Sequence, residues 1–97
     1  MKVEKRRDGA KLTMVVEGSI DTVTAPQLEG ELETDGVSEL VIDVSKVPYV
    51  SSAGLRVFLT AYKAMSAKGG LMSLAGAQPT VLEVLRITGL AAVFNLS

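Results

Sequence analysis

The sequence predicts an α/β fold in one domain, residues 1–97, and three observations carry that expectation. Apolar residues make up 47% of the 97 positions, enough to bury one core and too many for a disordered chain. Their spacing alternates between short strand-like runs and stretches of three- and four-residue periodicity. Glycine and proline fall between these stretches, at Gly18, Gly36, Pro48, Gly69-Gly70, Gly76, Pro79 and Gly89. The resulting order is strand, strand, helix, strand, helix, strand, helix and a tail. Strands that alternate with helices pair in parallel through right-handed crossovers.

Each element has its own justification. Residues 2–6 alternate loosely and end at a turn, Asp8-Gly9. Lys11–Glu17 is rich in strand formers, and so short a connection predicts a hairpin. After Gly18, residues 19–23 read as a loop. Thr24 followed by Gln27 matches a capping box, and Pro26 is tolerated in a first helical turn. Ala25, Leu28 and Leu32 share one helical face, with Gly36 as the expected stop. Residues 38–44 contain Leu40-Val41-Ile42 without alternation, which predicts a strand buried on both faces. The second helix is expected at 53–67, with Leu55, Phe58, Leu59 and Tyr62 as its core stripe and Gly69-Gly70 closing it. Residues 71–74 form a short strand. Thr80 then leads a helix in which Val81, Leu82, Val84, Leu85 and Ile87 are apolar. The tail at 91–96 is apolar enough to be tied down, as a short helix or a last strand.

Composition excludes several functions. Ten basic and eleven acidic side chains give a formal charge of -1, which leaves no footprint for nucleic acid. The one basic cluster, Lys5-Arg6-Arg7, reads as a solvated edge strand whose charges discourage further pairing. Without cysteine there is no disulfide or thiolate chemistry. Without histidine there is no Ser-His-Asp triad and no Cys/His zinc site. No two acids are spaced for acid–base or metal work, and no phosphate loop of Walker type occurs. The chain is therefore expected to be neither an enzyme nor a cofactor protein. No stretch has signal-peptide character or approaches ~18 apolar residues, so a cytoplasmic protein without membrane contact is expected.

The most informative stretch is Tyr49-Val50-Ser51-Ser52-Ala53-Gly54-Leu55. It places two hydroxyls where a strand hands over to a helix. Backbone N–H groups there lack internal partners and the helix dipole is positive. A phosphate added to such a serine changes a surface without remaking the fold. On spacing alone, Ser52 is an ordinary helix cap, Ser51 a cap or loop residue, Asp21 a turn or helix-entry acceptor, Thr22 structural and Arg56 an exposed helix arginine. Gly54 costs a helix up to ~1 kcal/mol. Either a partner's close approach or tight packing of helix on sheet accounts for it.

Four segments in register resemble a known family: Gly18-x-Ile20-Asp21; Leu40-Val41-Ile42-Asp43-Val44-Ser45-x-Val47-x-Tyr49-Val50-Ser51-Ser52-Ala53-Gly54-Leu55; Lys68-Gly69-Gly70; and Val84-Leu85-x-x-Thr88-Gly89-Leu90. Together they resemble the STAS domain, and more closely the stand-alone bacterial anti-sigma factor antagonists. The resemblance implies a mixed β-sheet with helices mainly on one face. It implies a protein that binds an anti-sigma factor, often itself a serine kinase, and so releases a sigma factor. It further implies phosphorylation at Ser52, reversed by a phosphatase of PP2C type. The partner-binding surface is expected to include Asp21, Thr22, Ser51, Ala53, Gly54, Leu55 and Arg56. Ser51 stands where the family string carries Asp, which lowers the local negative charge and offers a second hydroxyl. The alternative that the resemblance leaves open is a subunit of a membrane-lipid transporter or a nucleotide-responsive module, working without phosphorylation.

Overall fold

A computed structural model describes all of residues 1–97. The chain runs β1 (Lys2–Asp8), β2 (Lys11–Glu17), α1 (Ala25–Glu31), β3 (Glu39–Lys46), α2 (Ser52–Ala67), β4 (Leu71–Ala75), α3 (Pro79–Ile87), a 3-10 turn (Leu90–Ala92) and β5 (Asn95–Leu96). The five strands lie in the order β1-β2-β3-β4-β5. The β1–β2 pair is an antiparallel hairpin and the other three pairs are parallel, so the sheet is mixed.

That strand order decides where the helices go. Three successive crossovers move in one direction across the sheet. If each is right-handed, α1, α2 and α3 all fall on the same face. Burial agrees. Leu12, Met14 and Val16 of β2, Leu40, Ile42 and Val44 of β3, and Met72 and Leu74 of β4 are buried, while the residues between them are not. The expectation that β3 is buried on both faces is therefore corrected. Val41 pairs with Thr13 and Ser73 on the helix-free face and is only half-buried. An unbroken apolar run reports hydrophobicity, and says nothing of the direction in which the next crossover travels.

The core holds 22 buried apolar residues and no buried polar one. Helix α2 contributes Leu55, Val57, Phe58, Ala61 and Met65, with Leu59 and Tyr62 packed against them. The tail is tied down in both of the anticipated ways, as a 3-10 turn and then a strand. Its anchor is Phe94, whose ring meets Phe58 and Tyr62 edge-on, with centroids 6.1 and 6.0 Å apart.

Helix α1 differs from expectation at both ends. It stops at Glu31, because Leu32 turns to extended backbone at ψ 131°. Gly36, at φ 70°, serves a later turn in which Val37 N–H donates to Thr34 O. The capping box does not form. The Thr24 hydroxyl accepts from Asp21 N–H at 2.9 Å, and its one proton is shared between Ser19 O, 2.9 Å from Oγ1, and Asp21 Oδ1, 3.1 Å from it. No side chain of Thr24 caps α1. Both ends show local chemistry spent on shaping the loop before the helix, which periodicity does not register.

Candidate functional site

The three loops that leave the parallel strands β2, β3 and β4 gather at one end of the sheet, the carboxyl end, where open α/β sheets carry their sites. They are bonded to one another. Gly18 N–H donates to Lys46 O at 3.1 Å, Ile20 N–H to Tyr49 O at 2.9 Å and Ser51 N–H to Ile20 O at 2.8 Å. Ile20 and Val50 thereby form a parallel bridge that extends the sheet under the start of α2. From the other side, Gln78 Nε2 donates to Ser45 O and Thr80 Oγ1 to Pro48 O, both at 2.9 Å. The segment carrying Tyr49 to Ser52 is held on two flanks.

At the helix start the two serines divide the work. Ser51, in extended backbone, is the N-cap. Its Oγ accepts from Gly54 N–H at 3.4 Å, a long and weak bond. Ser52 is the first helical residue and is exposed. The cap reading of Ser52 is thus replaced by Ser51, and the Ser52 hydroxyl is free to face a visitor. No acid lies in the first turn of α2, so the positive helix end has no carboxylate of its own there.

Asp21 shapes the neighbouring loop. Its Oδ1 accepts from Val23 N–H at 2.9 Å and from Thr24 N–H and Oγ1 at 3.0 and 3.1 Å. The backbone N–H groups of Thr24 and Val23 hold its carboxyl below the ordinary aspartate value of 3.8, so it is ionised at neutral pH. Of the two roles that its spacing left open, this is the turn, because both N–H groups precede α1. Asp43 does the same at the end of β3, where Ser45 N–H and then Ser45 Oγ lower its carboxyl.

Gly54 is buried, and its environment explains it. A Cβ there would stand 2.7 Å from Ile20 Cγ2 and 2.8 Å from Val50 Cγ1. Packing of the helix on the Ile20–Val50 bridge requires glycine. Leu55, 7% exposed, likewise faces inward. Of the expected surface residues, Thr22, Ser52 and Arg56 are exposed, Asp21, Ser51 and Ala53 are half-buried, and Gly54 and Leu55 lie beneath, as support. The structure adds two residues that the sequence reading did not place on this surface. Val23 and Tyr49, 82% and 53% exposed, lie in the two loops that meet at the start of α2. The available signal was a large apolar side chain within a turn segment, where no core stripe claims it. A groove of about 280 Å³ opens beside them between α1 and α2, with Thr22, Pro26 and Glu29 on one side and Ala53, Arg56 and Val57 on the other. No group of His, Cys, Asp or Glu side chains is arranged to hold a metal.

Comparison with known proteins bears on this surface. The family model described as the STAS domain matches residues 2–97. The anti-sigma-B factor antagonist of Listeria monocytogenes is 34% identical over 95 residues, which cover 95% of this chain and 83% of the relative. The crystal structure of an anti-sigma factor antagonist from Mycobacterium paratuberculosis superposes with a TM-score of 0.85 at 30% identity, over 98% of this chain and 83% of that one. The Bacillus anti-sigma factor antagonist SpoIIAA shares the fold in its unphosphorylated form (TM-score 0.85, 17% identity, 99% and 88% coverage) and in its phosphorylated form (0.77, 16%, 99% and 91%). A family model that spans nearly every residue, on a sheet and loop arrangement shared with these structures, shows that the chain belongs to the STAS domain family.

Proposed function

We propose that this chain is an anti-sigma factor antagonist, a regulatory binding module that captures an anti-sigma factor and so frees a sigma factor. Its docking surface is the loop cluster around Ser52, with Asp21, Thr22, Val23 and Tyr49. Phosphorylation of Ser52 by a partner serine kinase switches it off, and a PP2C-type phosphatase switches it on again. The observation that carries the reading is the exposed Ser52 hydroxyl at the strand-to-helix junction, with exposed apolar side chains, Val23 and Tyr49, in the two adjoining loops. The names of its relatives support the partner class.

The chemistry of the switch is electrostatic. A phosphate adds about -1.5 to -2 charges at neutral pH. Within the domain, the start of α2 accepts that charge, with roughly 0.3–1 kcal/mol in its favour. Within a complex, the same charge must be desolvated, at a cost of several kcal/mol unless the partner supplies a cation. A loss of ~3 kcal/mol weakens binding more than a hundredfold. The domain stays folded while the complex dissociates.

Two variants test this against the purified anti-sigma factor. Because Ser51 carries the cap, neither substitution removes the helix start. Ser52→Ala binds as the unmodified parent does and resists the kinase. Ser52→Asp binds at least tenfold more weakly. Equal binding of Ser52→Asp and parent refutes the electrostatic account.

A further inference from the structure

Arg56 stands four residues after Ser52 on the same helix, and it has no ion-pair partner. The only salt bridges of the chain join Lys5 to Glu31 and Glu33, and Arg6 to Glu4. The Arg56 side chain lines the α1–α2 groove opposite Glu29, and no charge pair forms between them. Side chains at i and i+4 are neighbours on a helix surface, roughly 5–6 Å apart at Cβ. The favourable order puts the acid first and the base second, in the sense that also suits the helix dipole. In the unmodified chain position 52 carries no charge, so this arrangement has its base but lacks its acid.

We propose that Arg56 reads the phosphate. When Ser52 is phosphorylated, the Arg56 guanidinium leaves the groove wall and pairs with the phosphate oxygens one turn away. The planar fork of arginine suits two phosphate oxygens at once, and the pairing is charge-assisted. The modification then acts twice. It places a negative charge on the docking surface, and it removes the basic wall from the adjacent groove, leaving Glu29 as the groove's charge. This inference deepens the proposed switch and rests on the assignment of Ser52.

Two acids sit on elements that adjoin the start of α2: Asp21 in the β2–α1 loop, which bridges to Val50 through Ile20, and Glu29 on α1, which lines the groove with Arg56. Both raise the second pKa of a phosphoserine at 52. Arg56 and the positive end of α2 lower it, so a comparison in which the acids and the helix end stay constant isolates the Arg56 contact.

The test installs phosphoserine at position 52 through an expanded genetic code, which makes it independent of any kinase. Phosphorus NMR then follows the phosphate through its second titration in the parent, Arg56→Gln and Arg56→Lys backgrounds. Arg56→Gln is expected to raise that pKa by about 0.3 unit or more, and Arg56→Lys to fall between the two. The Arg56 Nε–H proton resonance of the parent is expected to shift on phosphorylation. Superimposed titrations of the parent and Arg56→Gln, or a lower pKa in Arg56→Gln, overturn the proposal. Failure of the partner kinase to modify Ser52 is a separate result, which strikes the functional reading and leaves the contact standing.

Discussion

Substituting Gly54 by alanine sets two effects of opposite sign against each other. Helix propensity alone favours alanine by up to about 1 kcal/mol in a helix. Packing opposes it. The added Cβ would stand 2.7 Å from Ile20 Cγ2, 2.8 Å from Val50 Cγ1 and 3.2 Å from Ile20 Cβ. Neither neighbour can yield cheaply. Both are β-branched and stiff at χ1. Both are buried, at 0% and 2% exposure, and their backbones are tied by the bonds from Ile20 N–H to Tyr49 O and from Ser51 N–H to Ile20 O. Overpacking of this kind costs about 1–3 kcal/mol, and two simultaneous clashes belong in the upper half of that range. The net destabilisation is therefore about 1–2 kcal/mol, a fall in Tm of about 4–8 °C for each kcal/mol in a domain of this size. Urea unfolding followed by circular dichroism measures it as a lower midpoint at unchanged slope. A Gly54→Ala variant as stable as the parent, or more stable, refutes the packing argument. It would return Gly54 to the alternative in which a partner approaches the backbone.

Other outcomes follow from the same geometry. Asp21 has a depressed carboxyl, so its contribution to stability is present above the ordinary aspartate value of 3.8 and is lost as pH falls through its folded value. Acid titration of stability below that pH should be flatter in Asp21→Asn than in the parent. Phe94→Ala removes the ring that joins the tail to α2, with an expected loss of about 3–5 kcal/mol in chemical denaturation. Thr80→Val deletes the bond to Pro48 O, for about 0.5–1.5 kcal/mol, and should speed amide exchange at residues 49–51, whereas Thr80→Ser keeps both properties.

Much of the fold was legible because its signals are local. Lys11–Glu17, rich in strand formers, is a strand over those same residues, with Leu12, Met14 and Val16 buried. The α2 stripe and the Gly69 stop are equally local, with Gly69 at φ 74° just after the C-cap Lys68. What escaped depends on distant partners. Val41 lies on an open face because three crossovers share one direction. Thr24 looked like a cap, yet its hydroxyl is engaged by Asp21 and Ser19 across the loop. Ile87 belongs to an apolar pattern but is 77% exposed, because the face of α3 that meets the core is the one carrying Val81 and Leu85, with Val84 at its edge.

The site divides along the same line. The spacing of the motif placed Ser51 and Ser52 at the mouth of α2, and that is where they are. Which serine caps the helix was decided by backbone geometry, since only Ser51 is extended there. The close packing of Gly54 depends on the Ile20–Val50 bridge, a pairing between two loops. No window of sequence contains both of its halves.

The most direct measurement incubates the protein with its partner kinase and ATP, locates the phosphate by mass spectrometry, and passes the product over a sizing column with the anti-sigma factor. The account predicts one phosphate, on Ser52, and elution of the modified protein apart from its partner. Phosphate on Ser51, or a modified protein that still co-elutes, would contradict it.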